Sequence, residues 1–432
     1  MGNPFSKPKP QAPRVPMGKV IPLHEMDDQE ISRAIIMLLF MMRFDDVLDP
    51  EKLLSRDDWR KLGARLRLND RGKLEYHIPE RFDEKRPAIA YSQVKYAVAI
   101  GEHPLASRLP RPSAKPSALA DPNEFRPLMR REDGPTEIAD YYAGDEPQLS
   151  LHVVSFEDAT LNAVLEGRDG DVKPLDGVDH NPFATYGSEP REPYVLADKR
   201  LSKAQTVLFL CRLVYELIRY RREERMICIP AAYVEKFRAR AVSDLAAARG
   251  DAAEKAFVSE GDALSAWVAR ALTRAVLPPT SNKTIMIMNA FGLRWAQADD
   301  RLPKDKAYVS NAIMCVYTYL LAKELLTEPL GYVAGAAAEK SGWPAQYGDG
   351  WMNMLIFSNW SKGRFFETDF SAAVSCQYRK NFNSWATIPI VGKDGAGNYW
   401  LQPTARKGFW DKIQKAMDED SLKKISRLEK GA

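Results

Sequence analysis

The sequence predicts an α/β fold with mixed sheets, divided between two domains. Three observations carry that expectation. The chain has 432 residues, more than one compact core accommodates, so two domains of about 200 residues each is the natural division. Strand-like runs alternate with helical stretches in both halves, the pattern of layered α/β architecture. A hydrophobic content of 45% beside 28% charged residues is that of an ordinary globular chain, and no tract repeats at solenoid periods.

Residues 1–20 hold Pro4, Pro8, Pro10, Pro13 and Pro16 among basic and polar residues and read as a flexible tail. A first domain is expected over 21–200. Asp27 and Asp28 precede an apolar run with Ile35, Ile36, Leu38, Leu39 and Met42, an N-capped helix or a helix-to-strand passage. Asp57 to Leu62 opens a short helix, and Leu74 to Ile78 has strand character. The proline-rich span from Pro104 to Pro135 reads as an irregular surface connection. Gln148 to Phe156 returns to strand, Asn162 to Glu166 begins a short helix closed by Gly167, and the polar stretch Asp169 to Arg200 makes the domain boundary.

A second domain is expected over 201–432. Gln205 to Tyr220 reads as an amphipathic to mostly buried helix whose charged end, Arg219 to Arg225, is solvated. Tyr233 to Arg249 is helical with Gly250 as its stop. Val258 to Leu272 gives the clearest local signal, because Ser259 and Asp262 form a reciprocal capping pair ahead of Ala263, Leu264, Trp267 and Val268. The amides of such a helix start can also receive a phosphate. Thr284 to Asn289 predicts a strand, Leu302 to Ser310 a loop, and Asn311 to Leu326 a helix. Met352 to Phe357 is a strand-length apolar run, followed by turn residues from Ser358 to Gly363 and then by aromatics that Asp369 interrupts. That acid either braces an active-site wall or salt-bridges a core edge.

Charge and cysteines narrow the functional classes. Sixty-two basic against 58 acidic residues leave +4, without the clustered basic face of a dedicated nucleic-acid binder. Cys211, Cys228, Cys315 and Cys376 are widely spaced, which indicates neither a zinc site nor a disulfide framework and suits a reducing cytosol. Ile35 to Met42 is too short to span a bilayer, and Val207 to Ile218 is broken by Arg212 and Glu216. Gly2 opens a pattern read by N-myristoyl transferases, although one acyl chain anchors only marginally.

Several segments in order, Phe156 to Leu161 (FEDATL), Val258 to Trp267 (VSEGDALSAW), Met288 to Arg294 (MNAFGLR), Leu302 to Ile313 (LPKDKAYVSNAI) and Ser358 to Val374 (SNWSKGRFFETDFSAAV), resemble the BAHD superfamily of acyl-CoA-dependent acyltransferases, nearest its fungal secondary-metabolite branch. The earlier Arg43 to Pro50 and Asp58 to Pro79 fit as well. The resemblance implies two chloramphenicol-acetyltransferase-like domains with a channel between them. There a small hydroxylated metabolite meets acyl-CoA, a co-substrate and not a tightly bound cofactor, in a cytoplasmic monomer without metal or nucleic acid. It places Ser259, Asp262, Arg294 and Asn311 on the CoA side, and makes Asp369 and Phe370 structural counterparts of the family's DFGWG motif.

The family's general base is a His in HxxxDG, which takes the acceptor hydroxyl proton as the oxygen attacks the thioester. Here Leu161 runs straight into Asn162, and roughly twenty residues, a strand and a helical turn or two by usual element sizes, are absent where that His would stand. A second shortening lies between Pro50 and Asp58. His24 satisfies HxxxD literally but stands at the wrong place in the order; His77 and His103 have no acid four residues on. His152, on a strand, and His180, on a loop, are weak substitutes, so no catalytic residue is assigned. Two expectations follow: an acyltransferase by ancestry, inactive for want of its base, or a non-catalytic protein that binds acyl-CoA or a partner; an incomplete gene model would give the same gap.

Overall fold

A computed structural model of the chain describes residues 18–24, 27–28, 38–42, 57–156, 175–177, 180–185, 196–249, 256–296, 301–308, 310–336, 341–342, 347–361, 373–377 and 387–428. The expected helix at Asn162 to Glu166, both shortenings, Asp369 and Phe370 lie outside the described residues.

Before residue 200 the strands are β1 (Lys19–Pro22), β2 (Leu38–Met42), β3 (Arg65–Leu68), β4 (Leu74–Ile78), β5 (Ala90–Lys95), β6 (Ser117–Ala118), β7 (Ser150–Ser155) and β8 (Leu175–Asp176). After it come β9 (Arg222–Glu224), β10 (Ile227–Ile229), β11 (Thr284–Gly292), β12 (Ala307–Tyr308), β13 (Ile313–Leu321), β14 (Ser341–Gly342), β15 (Asn353–Asn359), β16 (Ala373–Gln377), β17 (Thr387–Lys393), β18 (Tyr399–Leu401) and β19 (Thr404–Arg406). The helices are α1 (Ile138–Ala143), α2 (Lys203–Arg219), α3 (Ala231–Arg249), α4 (Glu260–Val276), α5 (Leu293–Ala296), α6 (Ala322–Thr327), α7 (Leu330–Ala336) and α8 (Trp410–Leu428).

An eight-stranded mixed sheet, ordered β14-β13-β11-β15-β17-β18-β10-β6, organises the second half. β11, β15 and β17 run parallel, while β13 and β18 are antiparallel to their neighbours. Strand alternation sends Ile285 and Ile287 of β11 to one face, and Met286 to the other. The first face is covered by α4, whose residues from Ala263 to Thr273 are all buried. A helix apolar on every side belongs inside, and α4 accordingly packs against α3, α6, α7 and α8. Trp267 stacks on Phe237 with ring centroids 4.5 Å apart. Its one buried cation, Arg270, donates to the carbonyls of Leu325 (2.9 Å) and Glu328 (2.6 Å), so it serves the exposed end of α6.

The opposite face receives Phe209 and Leu213 of α2. The reading of α2 as mostly buried is corrected here: Val207, Leu210, Val214, Tyr215 and Ile218 face solvent, because the sheet takes only one side of the helix. A second correction concerns Asn311 to Leu326. Nine residues of that stretch form β13, paired along their length with β11, and only Ala322 to Thr327 is helical. Alternation explains the difference: Tyr317 turns toward α2 while Leu320 turns toward α4, a period-2 pattern in a β-branched and aromatic run.

Smaller sheets build the first half: β1-β4-β3 antiparallel and the parallel pair β5-β7. β3 buries Arg65 and Arg67, and both turn to Asp145. Arg65 Nε donates to the Asp145 carbonyl at 3.0 Å, and the Asp145 carboxylate pairs with Arg67 and, at 2.8 Å, with Arg86. Asp145 sits at φ 56°, a conformation costly for most residues and easier for Asp. The halves exchange strands: β6 edges the large sheet, β2 pairs with β16 and β8 with β12. The proline-rich connection is thus partly structured, with 3₁₀ turns at Ala106–Arg108 and Pro122–Leu128 beside β6.

Candidate active site

Ser259, Asp262, Arg294 and Asn311 come to one edge of the large sheet, where the parallel strands end. The register puts Ala290 of β11 beside Ser358 of β15 and Asn359 beside Ile390 of β17. Arg294 follows β11 directly, Lys393 ends β17, and the start of α4 lies over the same edge. Carboxyl ends of parallel strands, with a helix N-terminus aimed at them, are where α/β sheets receive ligands.

At that helix start the predicted cap forms. Ser259 Oγ accepts from the Asp262 amide at 3.1 Å, and Asp262 Oδ2 accepts from the Ser259 amide (3.3 Å) and hydroxyl (2.6 Å). Glu260 reaches Lys393 Nζ at 2.5 Å and accepts from the Tyr399 hydroxyl at 2.7 Å; the hydrogen bond from Lys393 holds its carboxyl below the usual range. Gly261 brings this helix start close to the end of β15: a Cβ there would stand 2.9 Å from Asn359 Nδ2 and displace that side chain.

The second group joins the two halves. Arg294 Nε donates to the Tyr308 carbonyl (3.0 Å) and Nη2 to the Ser310 carbonyl (2.7 Å), which fixes the loop entering β13. The Asn311 amide donates to Asp27 Oδ1 at 2.8 Å, Lys61 Nζ donates to Ser310 Oγ at 2.8 Å, and His24 Nδ1 lies 3.0 Å from the Tyr308 hydroxyl. Burial dominates the electrostatics. It raises the Asp27 carboxyl against the opposing Asn311 amide and Lys61, lowers Lys61, and pushes the Tyr308 hydroxyl up to about 12. It also lowers His24 to about 4, helped by the charges of Lys61 and His180. His24 is therefore a neutral imidazole at pH 7, and a weak base.

All five histidines are among the described residues. His152 is half-buried on β7 with Nδ1 2.8 Å from Ser92 Oγ, and burial lowers its pKa. His180 is largely exposed, 3.9 Å from Asp176, which Lys306 also approaches at 3.7 Å. His77 Nε2 is 3.2 Å from Glu75, and His103 Nδ1 accepts the amides of Leu105 and Ala106. Only His24, with His180 near it, shares a neighbourhood with Arg294 and Asn311. Sequence reasoning set His24 aside and did not single out Lys61. The one signal was the literal HxxxD from His24 to Asp28 at the start of the core, which carries nothing about partners almost three hundred residues later.

No protein-family model matches the sequence. Curated relatives span nearly all of it. The transcriptional regulator calD of Penicillium decumbens is 40% identical, covering 97% of this chain and 99% of that protein. The acetyltransferase adrJ of Penicillium roqueforti is 33% identical, covering 96% and 98%, and the acetyltransferase sphE of Aspergillus fumigatus is 33% identical, covering 97% and 98%. Among solved structures, TRI101 of F. sporotrichioides in complex with coenzyme A and T-2 superposes with a TM-score of 0.55 at 13% identity, over 93% of this chain and 97% of that one. TRI101 of F. graminearum, with coenzyme A and deoxynivalenol, gives 0.57 at 13% identity, over 91% and 96%. The ordered segments, the mixed-sheet fold and relatives of this identity and coverage agree: the chain belongs to the BAHD-like acyltransferases, in their fungal secondary-metabolite branch.

Proposed function

We propose that this chain binds acyl-CoA and a small hydroxylated metabolite at the edge where β11, β15 and β17 end, and transfers the acyl group to the hydroxyl only near the background rate. In this reading Ser259, Asp262, Arg294 and Asn311 line or brace the CoA side, the division between the domains falls at residue 200, and the protein works as a cytoplasmic monomer. One observation carries the binding half: a capped helix start, Arg294 and Lys393 converge on one sheet edge. Two support the loss of rate. His24, the histidine bonded to Tyr308 beside Arg294, is held neutral with its pKa lowered to about 4, and His152 on β7 is lowered by burial as well. The alignment with calD runs over 494 positions, more than the 432 residues of this chain, so part of that length stands opposite gaps.

The test is thiol release from acetyl-CoA by the purified chain with hydroxylated acceptors, beside calorimetric titration of acetyl-CoA. Loss of a general base predicts a rate about a hundredfold to ten-thousandfold below an ordinary relative, with measurable CoA binding. Ordinary turnover overturns the proposal. The name of calD, a transcriptional regulator, favours a second reading in which the chain is not an enzyme but a non-catalytic binder of acyl-CoA or of a partner. Affinity for acyl-CoA with no product above the enzyme-free control separates it from the first.

A further inference from the structure

We propose that the outer face of α2 rests on an anionic lipid surface. Val207, Leu210, Val214 and Ile218, three or four positions apart, form one stripe along the helix, with Tyr215 beside it, and all five are exposed. Ile218 is 76% exposed. A surface helix ordinarily turns its charged side chains to water; α2 turns the middle ones inward. Arg212 donates to the Met352 carbonyl, and buried Glu216 accepts from Arg406 at 2.6 Å. A second element extends the apolar face. Trp351 is 60% exposed, and both its chain neighbours touch α2: a Cβ on Gly350 would stand 3.0 Å from the Gln205 carbonyl oxygen and from Leu208 Cδ2, and Met352 accepts from Arg212. Tyr215 and Trp351 are the side chains that sit where hydrocarbon meets water.

Charge then selects the occupant. The exposed charged residues of α2 are Lys203 at its start and Arg219 at its end, with Arg221 exposed just beyond. Glu216 is the only acid in the helix. Ahead of it Lys199 and Arg200 are exposed, with Asp198 3.4 Å from Lys199. The stripe thus lies between cations at both ends. A second copy of the chain is a poor match, since stacking two such helices in either direction sets Lys203 and Arg219 against cations alone. Anionic headgroups match both features: the stripe sinks to the boundary of headgroups and acyl chains, while the basic ends stay at headgroup level. Val207 to Ile218 covers about 17 Å at 1.5 Å per residue, too short to cross a bilayer, so the helix lies in the plane of the surface. Because α2 and α4 cover opposite faces of the large sheet, this contact leaves the start of α4 clear.

The experiment is co-sedimentation of the full chain with vesicles of phosphatidylcholine alone and of phosphatidylcholine mixed with phosphatidylserine. It is repeated for Ile218→Glu and for Lys203→Gln combined with Arg219→Gln. All three positions are exposed, so the folds should persist, and circular dichroism and acetyl-CoA titration check that they do. The chain is expected to bind the mixed vesicles and to bind phosphatidylcholine alone much more weakly, with partial release by salt. Removing both cations should weaken binding to the mixed vesicles roughly tenfold or more. Ile218→Glu should weaken binding to both kinds of vesicle, while acetyl-CoA affinity stays unchanged in every variant. No vesicle binding, equal binding to the two compositions, or binding indifferent to the substitutions would overturn the assignment. So would a dimer in sedimentation velocity that Ile218→Glu dissolves, which gives the stripe to a second copy. A chain that binds the mixed vesicles as expected but not acetyl-CoA disproves the acyltransferase reading alone.

Discussion

The backbone amide of Asn311 donates to the carboxylate of Asp27 at 2.8 Å, across 284 positions of the chain. The beginning of the first half thereby holds the segment that leads into β13. Asp27→Ala leaves that amide unmet and takes away the counter-charge of buried Lys61. A loss of about 1–3 kcal/mol is expected in urea unfolding, with weaker acetyl-CoA binding. Asp27→Asn keeps an acceptor and should recover part of both.

His24 makes stability depend on pH with a definite sign. Its folded pKa of about 4 lies below the ordinary 6.5, so the native state binds fewer protons than the unfolded chain. The contribution is complete above pH 6.5 and is lost as pH falls toward 4. His24→Gln should flatten that part of the profile, by about 1 kcal/mol once partial exposure is allowed for. The raised carboxyl of Asp27 works in the opposite sense, stabilising at low pH and losing effect as pH rises through its folded value. Urea midpoints at pH 7.5, 5.5 and 4 in the Asp27→Asn background isolate the histidine.

These two residues also mark how far the sequence could be read. The cap joining Ser259 to Asp262 was legible because its partners lie three positions apart and a helix start has standard chemistry. The strands at Leu74 and Gln148 were legible from their runs, and the ordered segments were enough to indicate the family. Lys61, Asp27 and His24 were not legible as a group, because their partners come from the other half of the chain. The β13 stretch misled because its apolar residues turn to both faces, Tyr317 toward α2 and Leu320 toward α4, so it lacks the polar alternation that marks a half-exposed strand.

Asp145 is the anion shared by Arg67 and Arg86, with its carbonyl on Arg65. Asp145→Ala leaves buried guanidinium charge uncompensated, which typically costs about 3–5 kcal/mol. Guanidinium titration should show the loss. Asp145→Gly, which relieves the positive φ but also removes the carboxylate, should not restore stability.

Trp267 is 1% exposed and stacked on Phe237. Trp267→Ala should cost about 3–5 kcal/mol. Gly331→Ala should cost less, about 1–3 kcal/mol through overpacking, since its Cβ would stand 2.3 Å from the Ala241 carbonyl oxygen and press α7 away from α3. Unfolding midpoints of the two variants rank the effects.

The pairing of β2 with β16 sets a timetable for synthesis. Met42 waits for Ala373 before its ladder can close, which at 5–20 residues per second is roughly 15–65 s after Met42 itself is added. Ser117 and Ala118 wait similarly for Ile227 and Cys228. Through that interval the nascent first half presents open strand edges to solvent. Its folding is thus coupled to completion of the second half, and a ribosome stalled between residues 200 and 370 would release a chain suited to aggregation or to chaperone capture.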